Sequence, residues 1–280
     1  MKKILIMTVI IIAAISNTMA TPLIWRGAST IKPMQFIGQV NLFYSQTTKS
    51  YDWTNNEWTS LADDKKTTSI NAQIMAGLSP FKNFEFLVLA PIASKTQDTL
   101  NSFGPGDFWI KARYGLVSSK LVPIKFTLSG ALVLPFASKD ANPALDDRTT
   151  DIGIGGILQT KSFGPFVGHL RFGYWFNGKT NDTTKVGDML EYVAKLDYQL
   201  NKIITPFLSI WGTMQGKTEY NGEAKENTQK DRHNVQIGLV AKPISMLSIR
   251  PKISVPLEFV CKGGSNAPFQ IGLDFWVIAP

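Results

Sequence analysis

Charged side chains at alternate positions of an apolar stretch are the residues of this sequence best placed to do chemistry. In 104–117, Asp107, Lys111 and Arg113 share one side of a strand with Trp109, and the other side is almost wholly apolar. Successive side chains of a strand point to opposite faces, so one face carries the charge. In a soluble sheet the apolar face would meet a core. In a membrane barrel it would meet lipid, and the charged face would line a wet lumen and tune which solutes pass.

The same alternation along the rest of the chain places further charged residues on the lumen side of a barrel. We predict that eleven of them line the lumen: Asp107, Lys111, Arg113, Lys125, Arg171, Glu191, Lys195, Asp197, Arg250, Lys252 and Asp274. The pattern adds Glu85, Asp151, His169, Lys242 and Glu258 to this face. The alternative role is structural, because cross-strand pairs of opposite charge would fill and stiffen a narrow barrel. Taken together, the residues have a slight basic excess, which favours anionic or neutral solutes.

An enzyme is the competing class, because some outer-membrane barrels are lipid hydrolases that need a nucleophile beside a histidine base. His169 and His233 are the only histidines, and the sequence has no Gly-x-Ser-x-Gly elbow. The two histidines and the single Cys261 match no metal-ligand spacing. The glycine-rich stretch Gly153–Gly156 lies inside a predicted strand, which favours close packing or strand bending over phosphate binding. We therefore expect no enzymatic activity, no metal and no cofactor.

The first twenty residues have the pattern of a secretory signal peptide, with two lysines, an apolar run ending near Ile15 and the small-residue end Thr18-Met-Ala20. A membrane anchor is the alternative, but the apolar run is too short to span a bilayer comfortably. Removal of Lys2 and Lys3 with the peptide would lower the formal charge from +8 to +6. The remaining basic residues are scattered, and export argues against a nucleic-acid partner.

The rest of the 280-residue chain has the pattern of β-strands long enough to cross a bilayer. Alternation predicts about twelve strands, at roughly 34–46, 67–78, 84–94, 104–117, 122–136, 150–160, 166–177, 189–200, 203–215, 234–242, 247–260 and 268–278. Their connections alternate between long and short, as in barrels with short periplasmic turns and longer outer loops. No backbone group that faces lipid can stay unpaired, so the sheet must close. The predicted fold class is all-β, a transmembrane antiparallel up-and-down β-barrel.

The predicted organisation is a signal peptide at 1–20, an N-terminal lead-in at 21–32 and the barrel at 33–280. The lead-in is either a periplasmic segment or a short stretch tucked into the lumen. Pro251 and Pro256 count against the eleventh strand, because a closed barrel has no free edge to accommodate them. They mark bulges or a misplaced strand boundary, so ten and fourteen strands stay open as alternatives.

Short motifs of the fourth strand resemble a known barrel family. Gly104-Pro-Gly-Asp107 followed by Lys111-Ala-Arg-Tyr114 resembles the Gly-x-Gly-Asp and Lys-Tyr strand of the outer-membrane family named for the MetA pathway of phenol degradation. Further short motifs follow in that family's order: Leu134-Pro135, Asp151-Ile-Gly-Ile-Gly155, Lys161-Ser-Phe-Gly164 and Gly173-Tyr174. The resemblance implies an outer-membrane channel for small, hydrophobic or aromatic molecules.

The function expected from these features is a channel or facilitator for passive passage of small solutes across the outer membrane of a Gram-negative bacterium. The expected partners are outer-membrane lipid, small-molecule solutes and the outer-membrane assembly machinery. Two alternatives stay open, a structural or adhesive barrel without transport and a soluble exported β-sheet binding protein. Heat-modifiable migration on a gel separates a barrel from the soluble alternative.

Overall fold

The computed structural model describes residues 27–118, 123–160 and 162–279, and most of these residues lie in antiparallel β-strands. The predicted signal peptide (1–20), residues 21–26 of the lead-in and residues 119–122 of the turn after the fourth strand lie outside the described residues. The only helical element among the described residues is the 3-10 turn Asp63–Lys65. In the described part of the chain, no helix has the length and apolar character needed to cross a membrane.

Twelve strands form the barrel, and we number them in chain order. Their bounds are β1 Phe36–Thr47, β2 Thr67–Leu78, β3 Phe84–Gln97, β4 Phe108–Ser118, β5 Ile124–Leu134, β6 Asp151–Thr160, β7 Phe166–Phe176, β8 Met189–Tyr198, β9 Ile204–Gln215, β10 Lys230–Ile244, β11 Leu247–Pro256 and β12 Gln270–Ala279. An extension of β4, Leu100–Pro105, precedes it and is separated from it by Gly106 and Asp107.

Each barrel strand pairs antiparallel with its neighbours in the chain, and β1 pairs with both β2 and β12, which closes the sheet. Phe36 of β1, for example, lies opposite Leu78 on one side and Ala279 on the other. A closed sheet leaves no edge whose N–H and C=O groups would face lipid unpaired. The predicted all-β, antiparallel up-and-down barrel of twelve strands is confirmed.

The side chains of the barrel are distributed inside out relative to a soluble protein. Gln39, Asn41 and Ser45 of β1 are buried inside, whereas Ile152 and Ile154 of β6 are 53% and 54% exposed on the outside. Every barrel strand carries exposed apolar side chains of this kind. An outward apolar band around a polar interior is what a bilayer requires, and it argues against the soluble alternative.

Short connections gather at one end of the barrel, the turn end, and long connections at the other, the loop end. The turn end has 79–83, 162–165, 199–203 and 245–246, and the loop end has 48–66, 135–150, 177–188, 216–229 and 257–269. One loop-end connection differs from its prediction. β3 continues to Gln97, turns at Asp98 with φ of 50°, and pairs with the extension Leu100–Pro105. A tight hairpin therefore replaces the polar loop expected there.

The prolines of β11 lie inside an irregular ladder. Pro251 keeps its place opposite Leu273 of β12, and the strand ends at Pro256, before its predicted end. Pairing with β10 skips Pro251, and the register shifts between Ala241 and Ile244. Because proline has no N–H to donate, it interrupts the ladder without ending the strand.

Candidate functional site in the barrel lumen

The part of the lumen wall formed by β3 to β7 carries an apolar cluster that alternation did not predict. Its buried side chains include Leu87, Leu89, Trp109, Val133, Ile157 and Trp175. The rings of Trp109 and Trp175 meet edge to face, with centroids 5.2 Å apart. In 86–92 apolar residues occupy both faces of the strand, which is typical of a strand buried on both sides. That continuous run is the signal that could have predicted a packed lumen here.

Glycine residues of β6 make room for large rings on both faces of the wall. A Cβ on Gly153 would lie 2.8 Å from ring carbons of Trp175, inside the lumen. A Cβ on Gly156 would lie 2.8 Å from the Phe172 ring. The prediction that this glycine-rich stretch serves close packing is confirmed.

The N-terminal segment, residues 27–31, lies inside the barrel at the turn end. Four wall side chains hold its backbone: Arg113 and Thr127 donate to the carbonyl oxygens of Gly27 and Ala28, and Gln159 and Glu85 accept from the N–H groups of Ala28 and Ile31. Ala28 and Ile31 are buried in the apolar cluster, with 5% and 6% of their surface exposed. The segment therefore fills part of the lumen.

Two of the predicted lumen residues, Arg113 and Lys125, contact this segment. Arg113 Nη1 lies 3.0 Å from Oε2 of Glu85, and both side chains are almost fully buried. Lys125 Nζ donates to Ser29 Oγ at 2.9 Å. Both basic side chains point into the barrel, where they bind the N-terminal segment.

The loop 135–150 folds into the mouth of the barrel at the loop end, and Asp107 holds it there. The Asp107 carboxylate accepts three backbone N–H bonds at 2.8 to 3.0 Å, from Phe136, Ala137 and Arg148. In return the N–H of Asp107 donates to Asp146 Oδ2 at 3.1 Å. Leu145 of the loop is 1% exposed. Asp107, which interrupts its strand, is thus a loop anchor.

The loop brings Asp107, Asp146 and Asp147 together, with one oxygen from each within 4.8 Å of the others. Asp147 Oδ1 accepts from the Thr149 hydroxyl at 3.0 Å, so each of the three carboxylates is hydrogen-bonded within the loop or to its anchor. Burial, then the charges of Asp147 and Asp107, raise the pKa of Asp146 to about 6. These hydrogen bonds indicate that the cluster anchors the loop 135–150.

Five predicted residues line a cavity of about 90 Å³ in the middle of the lumen, the mid-lumen cavity. They are Arg171, Lys195, Arg250, Lys252 and Asp274. Lys252 Nζ lies 2.8 Å from both carboxylate oxygens of Asp274, and Arg250 Nη1 lies 3.9 Å from one of them. Its aromatic lining is Phe43, Phe207 and Trp211. The structure therefore brings together charges that lie far apart in the sequence.

The remaining predicted residues, Lys111, Glu191 and Asp197, interact with one another or with the charged residues that line this cavity. Lys111 and Glu191 are buried, and Glu191 interacts electrostatically with both Lys111 and Arg171. Asp197 Oδ1 lies 2.7 Å from Lys195 Nζ. Each carboxylate therefore lies beside at least one lumen cation.

A larger cavity of about 430 Å³, the outer cavity, lies nearer the loop end. Its charged lining is balanced, with three acidic and three basic residues: Asp146, Asp147, Asp151, Lys95, Lys230 and Arg232. Trp211 lines both cavities, and its Nε1 donates to Ser254 Oγ at 3.0 Å. Trp211 therefore lies between the two parts of the lumen.

The two histidines and the cysteine each have a hydrogen-bond partner in the protein. His169 Nε2 lies 2.8 Å from Asp197 Oδ2 in the lumen, and His233 Nδ1 lies 2.7 Å from the Tyr192 hydroxyl. Cys261 Sγ accepts from the His233 N–H at 3.2 Å. Burial raises the pKa of the Cys261 thiol, which keeps it protonated near neutral pH.

Glu258 was predicted to lie on the lumen wall, and the structure places it elsewhere. It lies in the connection after β11, where its carboxylate pairs with Lys49 at 2.7 Å. Its backbone oxygen accepts from Trp58 Nε1 at 3.2 Å. The predicted strand continued the alternating pattern past Pro256, but the strand ends at that residue.

The fold is similar to that of known outer-membrane barrels. An outer-membrane channel from Pseudomonas putida F1 matches with a TM-score of 0.78 at 13% identity, over 90% of this chain and 97% of that one. The β domain of the Bordetella autotransporter BrkA matches at 0.49 and 9% identity, over 87% and 99% of the two chains. The P. putida toluene transporter TodX matches at 0.45 and 12% identity, over 95% of each chain.

Sequence comparison adds no family to this likeness. No protein-family model and no curated protein matches the chain. The likeness to the P. putida F1 channel establishes a shared barrel fold, and the resemblance to the MetA-pathway family stays a prediction.

Proposed function

We propose that the chain is an outer-membrane channel that lets small solutes pass down their concentration gradients. The observation that carries the proposal is an apolar outer band around a charged lumen with two cavities, of about 430 and 90 Å³. Such a barrel offers polar solutes a path through a bilayer. The similar barrel from P. putida F1 is an outer-membrane channel.

The proposed location is the bacterial outer membrane, reached by export through the signal peptide at 1–20. There the turn end would face the periplasm and the loop end the outside. Outer-membrane lipid would contact the apolar band, and the outer-membrane assembly machinery would insert the barrel.

The solutes we propose are small molecules that combine polar and apolar parts. Trp109, Trp175 and Trp211 line the outer cavity beside its charged residues and offer flat apolar surface to an aromatic ring. The resemblance to the MetA-pathway family favours the same class of hydrophobic or aromatic compounds.

A structural or adhesive barrel without transport is the second candidate. The observation that favours it is the filling of the lumen from both ends, by residues 27–31 at the turn end and by the loop 135–150 at the loop end. A filled barrel can be stable and yet closed to solutes.

Reconstitution into liposomes separates the two candidates. Swelling is measured with a panel of sugars and phenolics, and ion conductance is measured in planar bilayers. Uptake or conductance that disappears when the same preparation is unfolded by boiling supports the channel. A folded barrel, identified by heat-modifiable migration, that passes none of the solutes and no ions would leave the structural role.

A further inference from the structure

The mid-lumen cavity has an excess of positive charge that the outer cavity lacks. Among the described residues, four basic side chains and one carboxylate line it, whereas three basic and three acidic residues line the outer cavity. From this contrast we propose that the mid-lumen cavity binds small carboxylate anions. The proposal rests on the channel function proposed above and names the solute class that this part of the lumen selects.

Neighbouring acids reduce this excess without cancelling it. Asp197 pairs with Lys195 at 2.7 Å, and Glu191 interacts with both Lys111 and Arg171. With these groups included, five basic side chains face three carboxylates among the described residues, so basic groups still outnumber acidic ones. Positive charge held away from bulk water is costly, so an anion that enters the cavity is stabilised there.

Aromatic rings fix the positions of two of the cations. Lys195 Nζ lies 4.6 Å from the ring centroid of Phe207, and Lys252 Nζ lies 4.8 Å from that of Phe43. A ring face attracts a cation and restricts its movement. A site whose charges are already held in place needs little ordering when a ligand binds.

The lining favours a carboxylate with a short hydrocarbon tail over an inorganic anion. Arg171 and Arg250 present planar guanidinium groups, which match the two oxygens of a carboxylate. Phe43, Val193 and Phe207 supply apolar surface for the tail. The volume of about 90 Å³ limits that tail to a few carbon atoms.

Planar-bilayer recordings of the intact chain test the proposal directly. In a potassium chloride gradient, the reversal potential is expected to report several-fold preference for chloride over potassium. Millimolar propionate should reduce the chloride current, and tetramethylammonium should not. In a series from formate to hexanoate, the block should be strongest for the short members with a tail. Inorganic phosphate that blocks more strongly than every carboxylate would overturn the assignment.

Variants of the cavity connect the block to named residues. Arg171→Gln and Lys252→Gln each remove a cation, and each should raise the propionate concentration that halves the current by about tenfold. Asp274→Asn removes the carboxylate and should lower the propionate concentration that halves the current. Lys230→Gln, the matched control, removes a cation from the outer cavity and should change it by less than about twofold. Heat-modifiable migration identifies the variants that fold.

The outcomes distinguish this proposal from the channel function itself. A wild-type chain that conducts but passes potassium and chloride equally, with no carboxylate block, would overturn the carboxylate site and leave the channel standing. Propionate block that is unchanged in Arg171→Gln and Lys252→Gln would overturn the site as well. A folded chain without any conductance or uptake would overturn both.

Discussion

The Glu85 carboxylate and the Arg113 guanidinium pair across β3 and β4 with 3.0 Å between Oε2 and Nη1, and the same two side chains hold the N-terminal segment. The other oxygen of Glu85 accepts from the N–H of Ile31. The other terminal nitrogen of Arg113 donates to Gly27 O at 2.6 Å. One buried ion pair therefore stabilises both the wall of the barrel and the segment that fills it.

Removal of one partner of this pair should be strongly destabilising. Arg113→Gln leaves the Glu85 carboxylate buried without its guanidinium partner, which costs about 3–5 kcal/mol. The free energy of unfolding is measured by urea titration in lipid vesicles, with tryptophan fluorescence as the signal. Lys66→Gln, which breaks an exposed pair with Asp63, is the control and should leave the free energy of unfolding almost unchanged. Equal losses of unfolding free energy in the two variants would contradict a stabilising role for the buried Glu85–Arg113 pair.

Deletion of residues 27–31, with the signal peptide retained, should enlarge the channel. The deletion removes the chain that occupies the lumen beside Arg113 and Thr127, so the single-channel conductance should rise. Lys125→Gln is the control, because it loses only the contact with Ser29 and should change conductance less. If the deletion variant folds and conducts like the wild type, another part of the lumen limits the conductance.

The packing of the loop 135–150 should weaken as the pH rises. The pKa of Asp146 is raised to about 6 from a usual value of 3.8, so the packed loop opposes ionisation of this carboxyl. Its packed form therefore loses stability as the pH rises from about 4 to about 6 and stays at the lower level above that. The groups that face Asp146 are the carboxylates of Asp107 and Asp147 and the ammonium of Lys95.

Single-channel recordings at pH 4.5 and pH 7.5 measure the loss of stability of the packed loop as transitions between conductance levels. We expect rare transitions at the lower pH and frequent ones at the higher pH. Asp146→Asn removes the titrating carboxyl and should give the low-pH behaviour at both values. A wild-type pH response that persists in this variant would assign the effect to another group.

The glycine beneath Trp175 should not tolerate a side chain. A Cβ on Gly153 would lie 2.8 Å from the indole, so Gly153→Ala forces the ring to move and should cost about 1–3 kcal/mol. Gly38→Ala is the matched control, because a Cβ there meets no atom within 4 Å. Thermal unfolding, followed by the loss of heat-modifiable migration, compares the two. Equal midpoints would mean that the indole relaxes without penalty.

The sequence predicted the barrel because the outward face of nearly every strand is under one constraint, contact with lipid. Val40, Ile74 and Leu128 alternate with polar neighbours, and this pattern assigns them to the outer face. The inward face has no such uniform constraint. Leu87 and Leu89 follow Glu85 at alternate positions and so share its lumen face, but alternation identifies an inward face by its polar residues and therefore did not predict an apolar cluster there.

Pairing inside the lumen was beyond prediction for a different reason. Arg250 lies directly opposite Asp274 in the register, yet Lys252 is the closer partner, at 2.8 Å against 3.9 Å. Arg250 lies over the ring of Trp276, with Cζ 4.4 Å from its centroid. A competition of this kind depends on rotamers, which neither spacing nor charge reveals.

The contacts of the N-terminal segment also bear on the order in which the barrel folds. Its hydrogen-bond partners on β3 and β6 follow 54 to 131 residues later in the sequence. The surface that receives residues 27–31 is complete only when the strands that carry Glu85, Arg113, Thr127 and Gln159 are all in place. Contacts of such long sequence separation form slowly. We therefore expect residues 27–31 to fill the lumen only late in folding.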